Sequence, residues 1–179
     1  MRYLLPLVLL AGPAAAQDCP PLDAQVARQA AIHDRMQAAG SEAEVRPLAA
    51  ELWSIWLAAP DPPSQELLDR GMAQRSGFDL FGAQETLTRL IDYCPDYAEG
   101  WNQRAFARYL AQDFDGALDD LEEALALNPV HLGALSGKAM TLIGLRRYEE
   151  AQQVLRDAVA INPWLSERRL LTEPPGEEL

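Results

Sequence analysis

The sequence predicts an all-α fold, in which helical hairpins stack side by side into an α-solenoid. Small, apolar and proline residues recur with a period of 34 over residues 64–165, and a fixed period of this size indicates a stack of repeated units. Each period closes with a proline, which has no amide hydrogen and therefore stops a helix. We expect about three hairpins, preceded by a helix pair and followed by a short capping helix.

The first sixteen residues have the pattern of an export signal. Arg2 precedes an apolar run at residues 3–11, and small residues lead to a predicted cleavage site after Ala16. The run is much shorter than the ~20 residues that cross a bilayer, so we expect no membrane span after cleavage. A lipid anchor on Cys19 is disfavoured because the charged Asp18 precedes it. The sequence therefore predicts an exported, periplasmic protein that is soluble after cleavage.

Residues 17–63 are predicted to form an N-terminal arm and a helix pair. Apolar residues at helical spacing predict a first helix over residues 22–39. Ser41 and Glu44 then form the pattern of a capping box for a second helix. Pro47 lies too deep for a first-turn proline, so the helix either kinks or begins there. The pair is either a degenerate repeat or an N-terminal cap, and we expect it to dock on the units that follow.

Three repeats make up the centre of the chain, at residues 64–97, 98–131 and 132–165. In each repeat a small residue of the first helix is expected to meet an alanine of the second, because a larger side chain would overpack the crossing. These pairs are Gly71 with Ala83, Ala105 with Ala117, and Ala139 with Ala151. The closing prolines are Pro95, Pro129 and Pro163.

The last region, residues 166–179, is predicted to hold a capping helix and a disordered tail. Leu170 and Leu171, with charged residues before them, suit a short helix that covers the open apolar face of the third repeat. The acidic, proline-containing tail that begins at Glu173 lacks the apolar residues that a folded segment needs.

Charge and cysteine content limit the classes of partner. The net charge of −12 repels phosphate backbones, which argues against a nucleic-acid partner. Cys19 and Cys94 form an even pair in a compartment that is expected to be oxidising, which favours a disulfide. The alternative is that Cys94, which takes the place of Asn128 and Asn162 in the other repeats, is a half-buried free thiol. No Cys-x-x-Cys pair supports redox catalysis.

The central repeat carries a recognisable set of residues at fixed places: Trp101, Ala105, Phe114, Ala117, Leu121, Ala124 and Pro129. This pattern resembles the tetratricopeptide repeat (TPR) family, and the resemblance covers the three repeats. It implies a scaffold that binds other proteins and is not an enzyme.

The resemblance also implies where a partner binds. In TPR stacks the first helix of each repeat lines a concave face, which here gives a partner-binding groove of Leu68, Met72, Arg75, Asn102, Phe106, Tyr109, Ser136, Met140 and Ile143. The alternative is that the N-terminal helix pair or the C-terminal helix already fills this groove. The places that hold a carboxylate clamp in chaperone-binding TPRs lack its positive charge, since they read Leu68, Met72, Gln103, Gly133 and Gly137.

Metal and catalytic sites are not predicted. Asp113, Asp115 and Gly116 resemble part of a calcium loop, but Ala111 stands at the first ligand place. The two histidines, His33 and His131, have no second ligand at helical spacing and are expected at the surface or at a repeat junction. We therefore predict no metal, no cofactor and no enzymatic activity.

The function that fits these features best is a protein-interaction adaptor in the periplasm or cell envelope, which binds a peptide or a helix of another protein in the concave groove. Two alternatives stay open: a self-assembling structural component, which would be a homo-oligomer, and an enzyme whose catalytic groups are not recognisable. The sequence does not identify the partner.

Overall fold

The computed structural model describes residues 19–172, so the predicted signal peptide and the predicted tail lie outside the described residues. Within that range the chain forms eight α-helices and one 3-10 helix, with no strand. The helices are α1 (Asp23–Ala38), α2 (Glu42–Trp56), α3 (Pro62–Ser76), α4 (Leu80–Tyr93), α5 (Ala98–Leu110), α6 (Phe114–Leu127), α7 (Leu132–Gly144) and α8 (Tyr148–Ile161), followed by the 3-10 helix (Ser166–Leu170). The all-α prediction is confirmed. No helix in the described part is both long enough and apolar enough to cross a membrane.

Neighbouring helices pack as hairpins, and the hairpins stack. The pairs α3 with α4, α5 with α6 and α7 with α8 form the three repeats, and the second helix of each repeat packs on the first helix of the next. The first helices also touch one another, since α5 contacts both α3 and α7. The helices α3, α5 and α7 therefore form an inner row, and the predicted solenoid is confirmed.

The small residues predicted at the helix crossings are buried, although the nearest neighbour of Gly71 is Leu87 and not the predicted Ala83. Gly71 is buried against Leu87, and a Cβ atom added at Gly71 would lie 2.6 Å from Cγ of that leucine. Ala105 and Ala139 occupy the equivalent places and are at most 1% exposed. The distance at Gly71 leaves no room for a larger side chain, since overpacking a close-packed core forces side chains off their rotamers.

The turn between the two helices of each repeat uses a left-handed backbone conformation. Phe78, Gln112 and Arg146 have φ angles of 61°, 62° and 61°, and they are spaced by one repeat period. Glycine adopts this conformation without steric cost, whereas other residues pay roughly 1–2 kcal/mol. All three turns therefore hold backbone strain at the same place.

The residues that resemble a calcium loop have a structural role. The Asp113 side chain accepts a hydrogen bond from the Gly116 backbone N–H at 3.2 Å and caps the N-terminus of α6. Asp79 does the same for Gly82 at the start of α4, at 3.0 Å. Such caps satisfy donors that the first helical turn leaves unpaired. The acidic residue and the glycine are therefore explained by helix capping.

Two helix starts differ from the sequence prediction. Helix α2 begins at Glu42 and continues through Pro47, while the Ser41 hydroxyl donates to Oε1 of Glu44 at 2.9 Å and does not cap the backbone. Helix α3 begins at Pro62, two residues before the predicted start of the first repeat at residue 64, because Asp61 accepts from the Ser64 N–H and prolines are tolerated in a first helical turn.

The predicted short capping helix is present as the five-residue 3-10 helix Ser166–Leu170. It packs on α8, where the Gln152 side chain donates to the Leu170 carbonyl at 2.9 Å and accepts from the Thr172 N–H at 2.8 Å. None of its residues is fully buried. The turn therefore covers the end of the third repeat mainly through these hydrogen bonds.

Candidate functional site

A partly enclosed cavity of about 610 Å³ lies on the inner side of the repeats. The inner helices α3, α5 and α7 form one wall, and α2 with the segment after α8 forms the other. Met72, Phe106 and Met140, one from each inner helix, make the repeat wall largely apolar. Ligand pockets typically enclose about 300–1,000 Å³, so this volume suits a small ligand or a few inserted side chains.

Seven of the nine residues predicted to line the groove line this cavity, namely Met72, Arg75, Asn102, Phe106, Tyr109, Ser136 and Met140. Leu68 and Ile143 do not, because Leu68 is fully buried in the core of the first repeat and Ile143 packs beside Leu142 in another core cluster. The cavity extends from the C-terminal half of α3 across α5 to α7, where its lining ends at Thr141. The N-terminal position on α3 and the C-terminal position on α7 therefore fall beyond its ends.

The concave face is not an open groove, since the N-terminal hairpin of α1 and α2 lies over it. Val45, Ala49 and Trp53 of α2 face the cavity. Leu132 of α7 is buried in the apolar core of the hairpin, and Trp164 packs against the same core. The alternative drawn from the sequence is thus correct in part: the protein's own ends cover the groove but leave a cavity beneath them.

One end of the hairpin is fixed to the first repeat. Cys19, just before α1, forms a disulfide with Cys94 at the end of α4. Nearby, the buried Tyr97 hydroxyl donates to the Trp56 carbonyl at the end of α2. Burial raises the pKa of Tyr97 above its ordinary value, so the hydroxyl stays protonated and able to donate. The disulfide that the cysteine count favoured is present in the structure.

The other end of the hairpin is fixed to the third repeat. The Gln37 side chain donates to the Ala160 carbonyl at 3.2 Å, and the Trp164 indole N–H donates to the Ala39 carbonyl at the same distance. Both contacts join residues more than 120 positions apart in sequence. The hairpin therefore spans the stack from its first repeat to its last.

A buried polar cluster lies beneath the hairpin. The Ala134 N–H donates to Nδ1 of His131 at 3.2 Å, which leaves the hydrogen on Nε2, and Nε2 donates to Oε2 of Glu99 at 2.9 Å. His131 and Glu99 are each 1% exposed. Trp56 stacks on the imidazole with ring centroids 4.1 Å apart and donates to the Gln29 amide oxygen at 3.0 Å. The cluster joins α1 and α2 to the inner helices.

Both histidines are buried, so the expectation that they lie at the surface or at a junction is wrong as regards exposure. His33 is 6% exposed, and its Nε2 atom has no hydrogen-bond partner among the described residues. Burial lowers the pKa of His33, and nearby His131 lowers it further, while Asp34 opposes both effects. His131 does stand at a repeat junction, as the N-cap of α7. The sequence did not indicate the hydrogen bond between His131 and Glu99, because the two residues lie 32 positions apart and not at helical spacing.

Arg75 places a positive charge in the cavity wall. Its guanidinium lies over the Phe106 ring, 4.1 Å from the centroid, and it has no ion pair within 4 Å among the described residues. Burial lowers the pKa of Arg75, while the more distant Glu99 carboxylate opposes this effect. Arginine nevertheless stays charged at neutral pH, so the cavity combines apolar walls with the partly buried cation of Arg75 and the exposed cation of Arg46.

The cavity shows no arrangement typical of catalysis. Ser136 lines it, but no hydrogen bond joins Ser136 to a histidine within residues 19–172. No group of three or more potential metal ligands occurs in the same described range.

Comparison with known proteins agrees with this architecture. A sequence profile described as tetratricopeptide repeat matches residues 108–164. A TPR repeat-containing protein of Rhizobium etli is 40% identical over 60 residues, which cover 34% of this chain and 29% of that relative. Tetratricopeptide repeat protein 36 of Mus musculus is 40% identical over 65 residues, covering 36% of this chain and 35% of the relative. The chain thus spans about a third of the length of these relatives.

Solved structures share the fold. The first TPR domain of Spaghetti (RPAP3), bound to the HSP90 peptide SRMEEVD, aligns with a TM-score of 0.58 and 22% identity, over 60% of this chain and 85% of that one. The Sgt2 TPR domain of Aspergillus fumigatus aligns with a TM-score of 0.55 and 20% identity, over 68% and 91% of the two chains. In its repeat period, its stacked hairpins and the profile match over residues 108–164, the chain is similar to tetratricopeptide repeat proteins.

Proposed function

We propose that this protein is a non-enzymatic adaptor of the periplasm or cell envelope, which binds a short apolar segment of another protein at the inner cavity. The observation that carries the proposal is the cavity itself, whose repeat wall presents Met72, Phe106 and Met140 beneath the N-terminal hairpin. Apolar side chains that enter such a pocket lose contact with water, which is the main source of affinity at protein interfaces.

The covering hairpin defines how a partner binds. A long helix or peptide along the whole concave face would collide with α2, so the partner is expected to insert a few side chains while its backbone stays at the mouth of the cavity. The clamp positions carry no positive charge, so the ligand differs from the HSP90 peptide in the Spaghetti complex. The disulfide supports an oxidising compartment, in agreement with the predicted export signal.

The substitution Phe106→Glu tests the proposal. Phe106 is 45% exposed within the cavity, so a charged side chain there would oppose the entry of apolar groups at little cost to the core. We expect the variant to lose capture of envelope proteins in a pull-down with the mature protein, while helicity and melting temperature stay nearly unchanged.

The matched control is Phe81→Glu, at a phenylalanine that is 74% exposed and lies outside the cavity. This variant should capture the same proteins as the unaltered chain. Undiminished capture by Phe106→Glu would place the binding face elsewhere and refute the proposal.

A further inference from the structure

Arg75 is an uncommon residue to find in an apolar cavity wall. It is about half buried, and its Nε atom is shielded from water and has no hydrogen-bond partner among the described residues. The face of Phe106 attracts its charge, but a ring cannot accept the several hydrogen bonds that a guanidinium donates. A partly desolvated cation without a carboxylate therefore has the capacity to bind an anion.

Two further cavity-lining side chains have unused hydrogen-bonding capacity. Oγ1 of Thr141 and Oε1 of Gln103 are buried without partners among the described residues, and the two residues are 0% and 2% exposed. Buried polar atoms are nearly always paired with protein or water. The threonine hydroxyl is a donor for an anion, whereas the glutamine oxygen needs a donor such as water.

The acidic residues of the cavity lie at its rim. Glu42 is exposed and lies 3.7 Å from Arg168, and Glu167 accepts from the Ser166 hydroxyl next to it. Neither carboxylate lies within ion-pair distance of Arg75. The half-buried arginine is therefore complementary to an anionic group that reaches past the rim.

The walls around these few polar groups suit a hydrocarbon chain. A peptide backbone carries one N–H and one C=O in every residue other than proline, whereas the cavity lining is mostly apolar, with polar side chains of Asn102, Tyr109, Ser136 and Asn162 spaced along it. A linear alkyl chain needs none, and the methionine side chains of Met36, Met72 and Met140 adapt to flexible apolar ligands. We infer that the cavity also binds a single-chain amphiphile with one carboxylate head, such as a fatty acid, whose head pairs with Arg75.

Titration of the oxidised mature protein with dodecanoate and dodecan-1-ol tests this inference by calorimetry. Quenching of tryptophan fluorescence gives a second readout, because Trp53 and Trp164 line the cavity. We expect saturable 1:1 binding of dodecanoate, with the alcohol at least about tenfold weaker because it lacks the charge-assisted pair. Arg75→Met should weaken dodecanoate about tenfold and make the two ligands equal, and Arg75→Lys should restore part of the difference.

Arg35→Met is the matched control, since Arg35 is exposed, pairs with Glu51 and lies outside the cavity; it should leave both affinities unchanged. Met140→Trp, which fills the cavity and leaves Arg75 in place, should weaken both ligands and provides a second test if Arg75→Met does not fold. Absence of saturable dodecanoate binding, equal affinity for the alcohol, or an unaltered affinity in Arg75→Met would overturn the inference.

The peptide acetyl-Ala-Leu-Met-Leu, with a free carboxyl terminus, distinguishes the source of the anion. Binding of this peptide but not of dodecanoate would overturn the assignment to a fatty acid. The inference goes beyond the proposed adaptor function and does not depend on it, although both ligands use one cavity and should compete. Protein capture without dodecanoate binding would overturn this inference alone, whereas the reverse result would overturn only the adaptor function.

Discussion

Reduction of the Cys19–Cys94 disulfide should lower stability by an amount that the length of the closed loop sets. The two cysteines are 75 residues apart, and closing a loop of this length removes about 4 kcal/mol of chain entropy from the unfolded state. For a domain of this size each kcal/mol shifts the melting temperature by roughly 2–4 °C. We therefore expect the melting temperature, followed by circular dichroism, to fall by about 10 °C when a reductant is added.

The double variant Cys19→Ala/Cys94→Ala is the control for this measurement, because it cannot form the disulfide. Its melting temperature should equal that of the reduced, unaltered protein and should not change when the reductant is added. Free thiols detected in the native, oxidised protein would contradict the structure, and a shift below about 2 °C on full reduction would refute the stabilising role given to the disulfide.

Three other perturbations test the packing and the buried cluster. Phe78→Gly should raise the free energy of unfolding, measured by urea titration, by about 0.5–1 kcal/mol, because glycine adopts the left-handed φ of this position without strain. The Phe78 side chain is 78% exposed, so little packing is lost. Phe78→Ala keeps the strained φ and should not raise the free energy of unfolding. Gly71→Val should lower it by about 1–3 kcal/mol through the clash with Leu87, and Gly40→Val, with its nearest atom 3.9 Å away, should change it little. Because the pKa of His33 is lowered from 6.5 in the folded protein, the unfolded chain binds more protons at this residue just below pH 6.5. The free energy of unfolding should therefore decrease as the pH is lowered through that range. The variant His33→Gln should show a smaller decrease. A stability that rises on acidification from pH 6.5 to 5.5 would contradict the assignment for His33.

The repeats could be predicted from the sequence because their determinants are local and periodic. The second helix of each repeat ends just before a proline, as the 34-residue spacing of the prolines predicts. These prolines are Pro95, Pro129 and Pro163, and each directly follows the C-cap of α4, α6 or α8. The buried alanines of the helix crossings follow from the same period. Most of the inner-helix positions that face the cavity could also be predicted, since the residues on one face of a helix follow from the 3.6-residue turn.

The path of the N-terminal hairpin could not be predicted in this way. Its docking depends on contacts such as Trp164 with Ala39, which join segments 125 residues apart and leave no periodic signal. The burial of His131 with Glu99 likewise appears only once α1 and α2 lie over the inner helices. The sequence therefore predicts a groove, whereas the structure has a covered cavity.

Site-specific photocrosslinking tests most directly whether the cavity is the binding face. A photoreactive phenylalanine analogue would replace either Phe106, inside the cavity, or Phe81, which is 74% exposed and outside it. With the protein expressed in bacterial cells and recovered from the envelope fraction, we predict a discrete crosslinked partner from position 106 and none from position 81. The same partner crosslinked from position 81 alone would contradict binding at the cavity.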